Sequence, residues 1–168
     1  SWEWLITLNQ KVGYKGVGVY KKLSNKYFDK LIRDIRSKYN TELVNTSKTI
    51  PYIARNQKQG ILSIYGLPSD QSPKANRIFH WNSFMGIEVP VHTGPELLAK
   101  RYDLNVIFAK VKKIRRGYYE ATLIPISDDS QSVPDFGITD AFIQEVEKQI
   151  YEAPEYYFWT HKRWKHKR

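Results

Sequence analysis

Apolar positions along the chain follow two different periods. Tyr27, Phe28, Leu31, Ile32, Ile35 and Tyr39 recur at helical spacing and give one apolar face. Asn25 precedes them as an N-cap, and Asp29 stands in the first turn, where a carboxylate meets the positive end of the helix. Arg33, Arg36 and Lys38 lie mostly off the apolar face. A second helix is expected from Ser47, as its cap, to about Gly60 as its stop, with Pro51 early enough for the missing N–H to be harmless. A third opens at Thr93-Gly94-Pro95-Glu96, with Glu96 in capping-box position, and runs to about Tyr102. Phe142, Ile143, Val146 and Ile150 mark the last helix, which Pro154 ends.

Short extended runs fall between the helices. Gly13, Gly16 and Gly18 flank a Val/Tyr run ending at Tyr20, and Leu43-Val44 suits a second strand. Residues 61–67 read as a buried strand bounded by glycine and proline, and 89–91 as a short extended piece. Residues 106–111 and 118–124 read as two strands of a hairpin around a basic turn at 112–117. Residues 74–86 read as irregular, 128–135 as a polar loop, and 2–10 as the start of a helix or the end of a strand. Helices and strands in near alternation predict an α/β fold, a layered sheet with flanking helices.

Composition narrows the class. The length of 168 residues fits one domain, taken as 1–168. There is no Cys, which excludes a disulfide scaffold, a thiolate metal site and a cysteine nucleophile. No apolar run reaches the roughly 18 residues of a membrane-spanning helix. Lys and Arg number 27 against 17 Asp and Glu, a net charge of +10, beside 5 Trp, 12 Tyr and 7 Phe. Aromatics with excess positive charge suit nucleic acid or the anionic headgroup layer of a membrane. The chain opens at Ser1, without Met, directly into Trp2-Glu3-Trp4-Leu5-Ile6. That start reads as the interior of an element, so a fragment lacking its upstream part is expected.

Several residue groups carry possible chemistry, each with a plainer competing reading. Residues 159–168 hold five Lys or Arg and no acid, suited to phosphate; the alternative is a solvated terminus. Residues 154–159 are too aromatic to float freely. Asp70-Gln71 follows a central strand, where α/β sheets bind ligands; the alternative is a chain-reversing Asx-turn. Thr93-Gly94 opens a helix whose free N–H groups suit an anion; the alternative is ordinary capping. Arg36 and Lys38 suit phosphates or a solvated helix face. The four His show no zinc-type spacing, and His92 with Glu96 is explained by capping. There is no phosphate-binding Gly-x-x-x-x-Gly-Lys run, no Gly-x-Ser-x-Gly elbow, and Gly13, Gly16 and Gly18 do not make a dinucleotide fingerprint. No cofactor or metal is expected. The residues alone point to a basic α/β domain contacting phosphorylated or membrane-surface ligands.

The order of several segments resembles the bacterial lipid A biosynthesis lauroyl/myristoyl acyltransferase family, of the glycerolipid acyltransferase-like superfamily. The strongest match is Ala153-Pro154-Glu155-Tyr156-Tyr157-Phe158-Trp159-Thr160-His161-Lys162-Arg163-Trp164-Lys165. Ile35-Arg36-Ser37-Lys38 before Glu42-Leu43-Val44, Ser69-Asp70-Gln71, Phe84-Met85-Gly86 and Thr93-Gly94 follow in family order. Ser1-Trp2-Glu3 looks like the end of the family's His-x-x-Asn-Trp-Glu motif, with Ser1 departing from the usual Asn. The motif's His falls upstream of Ser1, and His80, His92 and His161 are followed five positions later by Met85, Leu97 and His166 rather than by an acid.

The resemblance implies acyl transfer from acyl carrier protein, or acyl-CoA, to a hydroxyl of a lipid A precursor or related glycolipid. It implies an anionic membrane surface as partner, no nucleic acid, and a place at the cytoplasmic face of the bacterial inner membrane, peripheral or N-terminally anchored. Glu3 then orients the catalytic His, and Arg36, Lys38, Asp70, Thr93 and Arg163 position substrate or shape the site. Without the His, residues 1–168 alone are expected to be inactive. Two alternatives stand beside this: a basic nucleic-acid-binding module using the tail and residues 110–116, and a non-catalytic relative of the family.

Overall fold

Thr7 and residues 9–168 are described by a computed structural model. Glu3 and the reading of residues 2–6 lie outside the described residues. The chain divides into two compact units, Ser1–Pro68 and Ser69–Arg168.

In the first unit, β1 (Lys15–Tyr20) is the middle of a parallel three-stranded sheet between β2 (Glu42–Asn45) and β3 (Ser63–Gly66). Val17 stands opposite Glu42 on one side and Tyr65 on the other. Parallel neighbours need crossovers, and α1 (Lys26–Arg36) and α2 (Thr49–Lys58) supply them. Val17, Val44 and Ile53 are buried, Ile53 completely. A Cβ at Gly16 would sit 1.6 Å from Asn9 Oδ1, so a side chain there would displace the Asn9 amide. The Asn9 amide in turn donates to Thr41 Oγ1 at 2.8 Å.

Both helices of this unit depart from expectation in a detail. A 3₁₀ turn, Thr46–Lys48, precedes α2. Asn45 Oδ1 accepts the Ser47 N–H at 3.0 Å, so the cap sits two residues before Ser47. Gly60 ends the segment as expected, at φ 65°. At α1, Asn25 Oδ1 accepts the N–H groups of Tyr27 and Phe28, both at 3.0 Å, as its N-cap position predicts. Asp29 is buried and accepts the Leu23 N–H at 2.8 Å. The apolar face is not covered. Tyr27 is 75% exposed, Phe28 53% and Leu31 52%.

The second unit contains two antiparallel ribbons and two helices. β4 (His80–Phe84) pairs with β5 (Ile87–Val91) through a Met85-Gly86 turn in which both residues have positive φ, 53° and 75°. This corrects the reading of 74–86 as irregular. Such turns are usually signalled by Asn or Asp at the first position, and Met carries no such signal. The Met85 N–H donates to the Glu147 carboxylate, which holds the strained residue in place. β6 (Val106–Arg115) pairs with β7 (Tyr118–Ser127). The turn is therefore Arg116-Gly117 alone, not 112–117. Cations continue the ladder because their long side chains find aromatic faces, as where Arg115 lies 3.8 Å from the Tyr118 ring centre.

α3 (Gly94–Tyr102) and α4 (Gly137–Glu152) complete the unit. Glu96 does not close a capping box on its own helix. Its Oε1 accepts the Phe136 N–H at 2.7 Å, and its Oε2 accepts from Thr139 N at 2.9 Å and Thr139 Oγ1 at 2.6 Å. The reason lies at α4, whose N-cap is Phe136, a residue without a side-chain acceptor for the free N–H groups behind it. The core joins Phe84, Val89 and Val91 to Phe108 and to Ile143, Val146 and Ile150 of α4. The last three are part of the face expected from helical periodicity. The fold is thus a mixed α/β fold, with its described strands distributed over three small sheets.

Candidate functional site

The second unit gathers a polar cluster from three stretches far apart in sequence. The first is the loop after β3, where Ser69 and Ser72 are buried and Asp70 is half-buried. The second is the junction of β5 and α3, with His92 half-buried and Thr93 buried. The third is the chain from Tyr157 to Lys165.

The tail reaches this cluster because its aromatic residues are anchored. Trp159 Nε1 donates to the Pro154 carbonyl at 2.7 Å, and its ring stacks on Trp164 with centroids 6.2 Å apart. Tyr157 and Trp164 both pack on Phe84 in the core. The last residue is fixed too, since the Arg168 N–H donates to the Glu88 carbonyl at 3.1 Å. A loose, solvated terminus is thereby replaced by a packed one.

Among the described residues Arg163 is the most buried charged group, with no exposed surface. Its Nη1 donates to the Pro90 carbonyl at 2.8 Å and to Ser72 Oγ at 3.3 Å. Its guanidinium lies 4.9 Å from the Phe84 ring centre. Nε and Nη2 have no hydrogen-bond partner among the described residues. Burial pulls its pKa below the ordinary value, and the neighbouring Tyr157 and Asp70 oppose that shift. The Tyr157 hydroxyl is pushed up to about 12, chiefly by burial and then by Asp70. It therefore remains a phenol and can donate a hydrogen bond.

Two imidazoles sit in the field of these cations. His161 Nε2 accepts the Ser72 N–H at 3.0 Å, which requires a lone pair there and leaves the proton on Nδ1. Its pKa is held below the ordinary value by burial, then by Lys165 and Arg163, with Asp70 opposing. His92 is lowered by burial, then by Arg163, again against Asp70. The cluster is consequently a pair of neutral imidazoles among cations, with a single carboxylate in their field. Such a set favours an oxyanion or a phosphorylated group.

Of the residues singled out in the sequence, the structure brings Asp70 and Arg163 together and places Thr93 beside His92. Thr93 makes no side-chain cap bond, although its carbonyl accepts the Leu97 N–H at 3.1 Å. Arg36 and Lys38 belong to the first unit, at the C-terminal end of α1, Arg36 half-buried and Lys38 exposed. Glu3 is outside the described residues. Sequence reading gives no role to Ser72, His92 or Tyr157. The available signal is adjacency, since each lies within six positions of a residue that is singled out. A shallow hollow lined by Asn105, Ile107, Pro125 and Asp128, among others, offers only that one titratable group.

Residues 2–166 match the family described as bacterial lipid A biosynthesis acyltransferase. No curated protein matches the chain. The family match spans all the segments that contribute to the cluster, from Asp70 to Lys165. The chain belongs to the bacterial lipid A biosynthesis acyltransferase family.

Proposed function

We propose that this protein moves a fatty acyl group from the thioester of acyl carrier protein, or acyl-CoA, to a hydroxyl of a lipid A precursor or related glycolipid. The acceptor is met at the cytoplasmic face of the bacterial inner membrane. The observation that carries this reading is the family match over residues 2–166. The charge of +10 supports it, because the donor protein and the lipid surface are both anionic.

In the reaction, the acceptor hydroxyl oxygen attacks the thioester carbonyl carbon. A C–O bond forms and the C–S bond breaks. A neutral histidine takes the hydroxyl proton and returns it to the departing thiolate. A carboxylate beside that histidine fixes its tautomer and stabilises the imidazolium, which is the role we assign to Glu3. Residues 1–168 contain no histidine followed five positions later by an acid, so we expect the isolated chain to be inactive. The polar cluster of Asp70, His92, Thr93, His161 and Arg163 is assigned to shaping the site for a phosphorylated sugar; Arg36 and Lys38, in the first unit, are assigned separately to positioning substrate.

The test is labelled acyl transfer by the protein extended upstream of Ser1, from acyl carrier protein to a lipid A precursor. Glu3→Ala is expected to lower transfer by about two orders of magnitude or more. Equal rates would make Glu3 structural, and measurable turnover by residues 1–168 alone would refute the inactivity assigned to it.

A further inference from the structure

α1 is amphipathic, and it is turned the wrong way for a core helix. At about 100° per residue, Tyr27, Leu31, Ile35, Phe28 and Ile32 fill an arc of roughly 140°, and every polar residue of the helix falls outside it. A helix in a packed domain normally buries such an arc. Here the inward seam is its polar border, with Asp29 buried and Ile32 and Arg36 half-buried. Tyr27, Phe28, Leu31 and Ile35 are exposed, and Leu23 and Tyr39 extend the apolar strip beyond both ends.

The polar face of α1 and the segments that flank the helix are cationic. Lys21, Lys22, Lys26, Lys30, Arg33 and Lys38 are all exposed. The acids are few: Asp29 is buried, and Asp34 is paired with Lys30 at 2.7 Å. The helix has 11 residues, about 16 Å of length, which suits lying along a surface. Among the described residues no helix is long and apolar enough to cross a membrane.

We propose that α1 is a membrane-docking helix, its Tyr27–Phe28–Leu31–Ile35 strip entering the headgroup boundary of an anionic bilayer while the lysines of its polar face and of its two flanks meet lipid phosphates. An apolar arc opposite a basic polar face is the signature of interfacial helices. Charge decides between occupants. Two copies joined through this face would bring the exposed Lys21, Lys22, Lys30 and Lys38 of one toward those of the other, which is repulsive. Nucleic acid would satisfy the cations but leave the aliphatic strip in water. The proposal deepens and rests on the reading that the acceptor is a lipid, which has to be met at a membrane surface. Vesicle binding needs no turnover, so either reading can fail without the other.

The experiment is flotation of the whole 168-residue chain with vesicles of equal parts phosphatidylcholine and phosphatidylglycerol, against phosphatidylcholine alone. The chain is expected to float with the anionic vesicles, and less so as salt is raised. Phe28→Ser with Leu31→Ser removes two exposed apolar side chains, so the fold should survive, and binding is expected to fall about tenfold or more. Because the chain has no Cys, Leu31→Cys takes a single environment-sensitive fluorophore, whose emission should shift to the blue on anionic vesicles. Failure of the chain to float overturns the proposal. Unchanged binding by the double variant, or a label that stays in water while the chain floats, also overturns it. A dimer in solution that the double variant converts to monomer, with no effect on vesicles, assigns the face to a second copy instead. Binding to duplex DNA that the double variant leaves unchanged, with no flotation, assigns the cations to nucleic acid.

Discussion

Ser72 and Arg163, 91 positions apart, hold one another through two hydrogen bonds. Ser72 Oγ donates to the Arg163 carbonyl at 2.7 Å, and Arg163 Nη1 donates back to Ser72 Oγ at 3.3 Å. The pair ties the C-terminal tail to the loop that carries Asp70. Removing the guanidinium leaves the Pro90 carbonyl unpartnered and a void against Phe84. Arg163→Ala should therefore destabilise the chain by about 3 kcal/mol. Ser72→Ala should cost about 1 kcal/mol. The double variant should cost less than the sum, because the two share a partner. Urea unfolding followed by tryptophan fluorescence reads all three; strict additivity would mean the bonds contribute nothing jointly.

Glu96 uses both carboxylate oxygens to accept from α4, one from Phe136 and one from Thr139. Glutamine conserves size but turns an NH₂ group toward one of these donors. Glu96→Gln is thus expected to be nearly as damaging as Glu96→Ala, each at about 2–3 kcal/mol. Thermal melts compare them, and a neutral Gln variant would show that only one oxygen matters.

His161 and His92 both have folded pKa values below the ordinary imidazole value. Between the lowered folded pKa and the unfolded pKa near 6.5, the unfolded state binds more protons. Stability is then fully present above that unfolded value and is lost as pH falls toward the folded pKa. Protonation of His161 also removes the lone pair that accepts the Ser72 N–H. Denaturation midpoints should drop between about pH 7 and pH 5.5, above the carboxylate range, and His161→Gln should flatten that slope. A slope identical in wild type and variant would refute the assignment of a neutral His161.

Gly117 has φ 80° in the two-residue turn between β6 and β7. Gly94 opens α3 without a positive φ, and a Cβ there meets nothing within 4 Å. Gly117→Ala is expected to cost about 1 kcal/mol, and Gly94→Ala to be neutral or slightly stabilising. Equal melting temperatures for the two would show that the turn relaxes at little cost.

Most elements were legible from neighbours in the chain. Asn25 caps α1 because its side chain reaches N–H groups only two and three residues on. Gly60 stops its segment because glycine tolerates positive φ, and Phe142, Ile143, Val146 and Ile150 mark α4 through the helical period. The hairpin of β4 and β5 was not legible, since its turn uses Met85 at positive φ, and what holds it there is Glu147, 62 positions away. Of the candidate site, Asp70, Thr93 and Arg163 were named from motif order, whereas His161 was not assigned a role because its partner Ser72 is 89 positions distant.

The amino-acid sequence by itself determined the alternation of helices and strands, the amphipathic character of α1, the cationic surplus and the family to which the chain belongs. These depend on residue type and on contacts within a few positions. Tertiary structure alone decided which way α1 faces, that Glu96 serves α4 rather than α3, and that the basic tail is packed with Arg163 at its centre. Each of these is set by what lies across a packing surface, and a hydrogen bond or a buried charge is worth nothing until the fold brings its distant partner into reach.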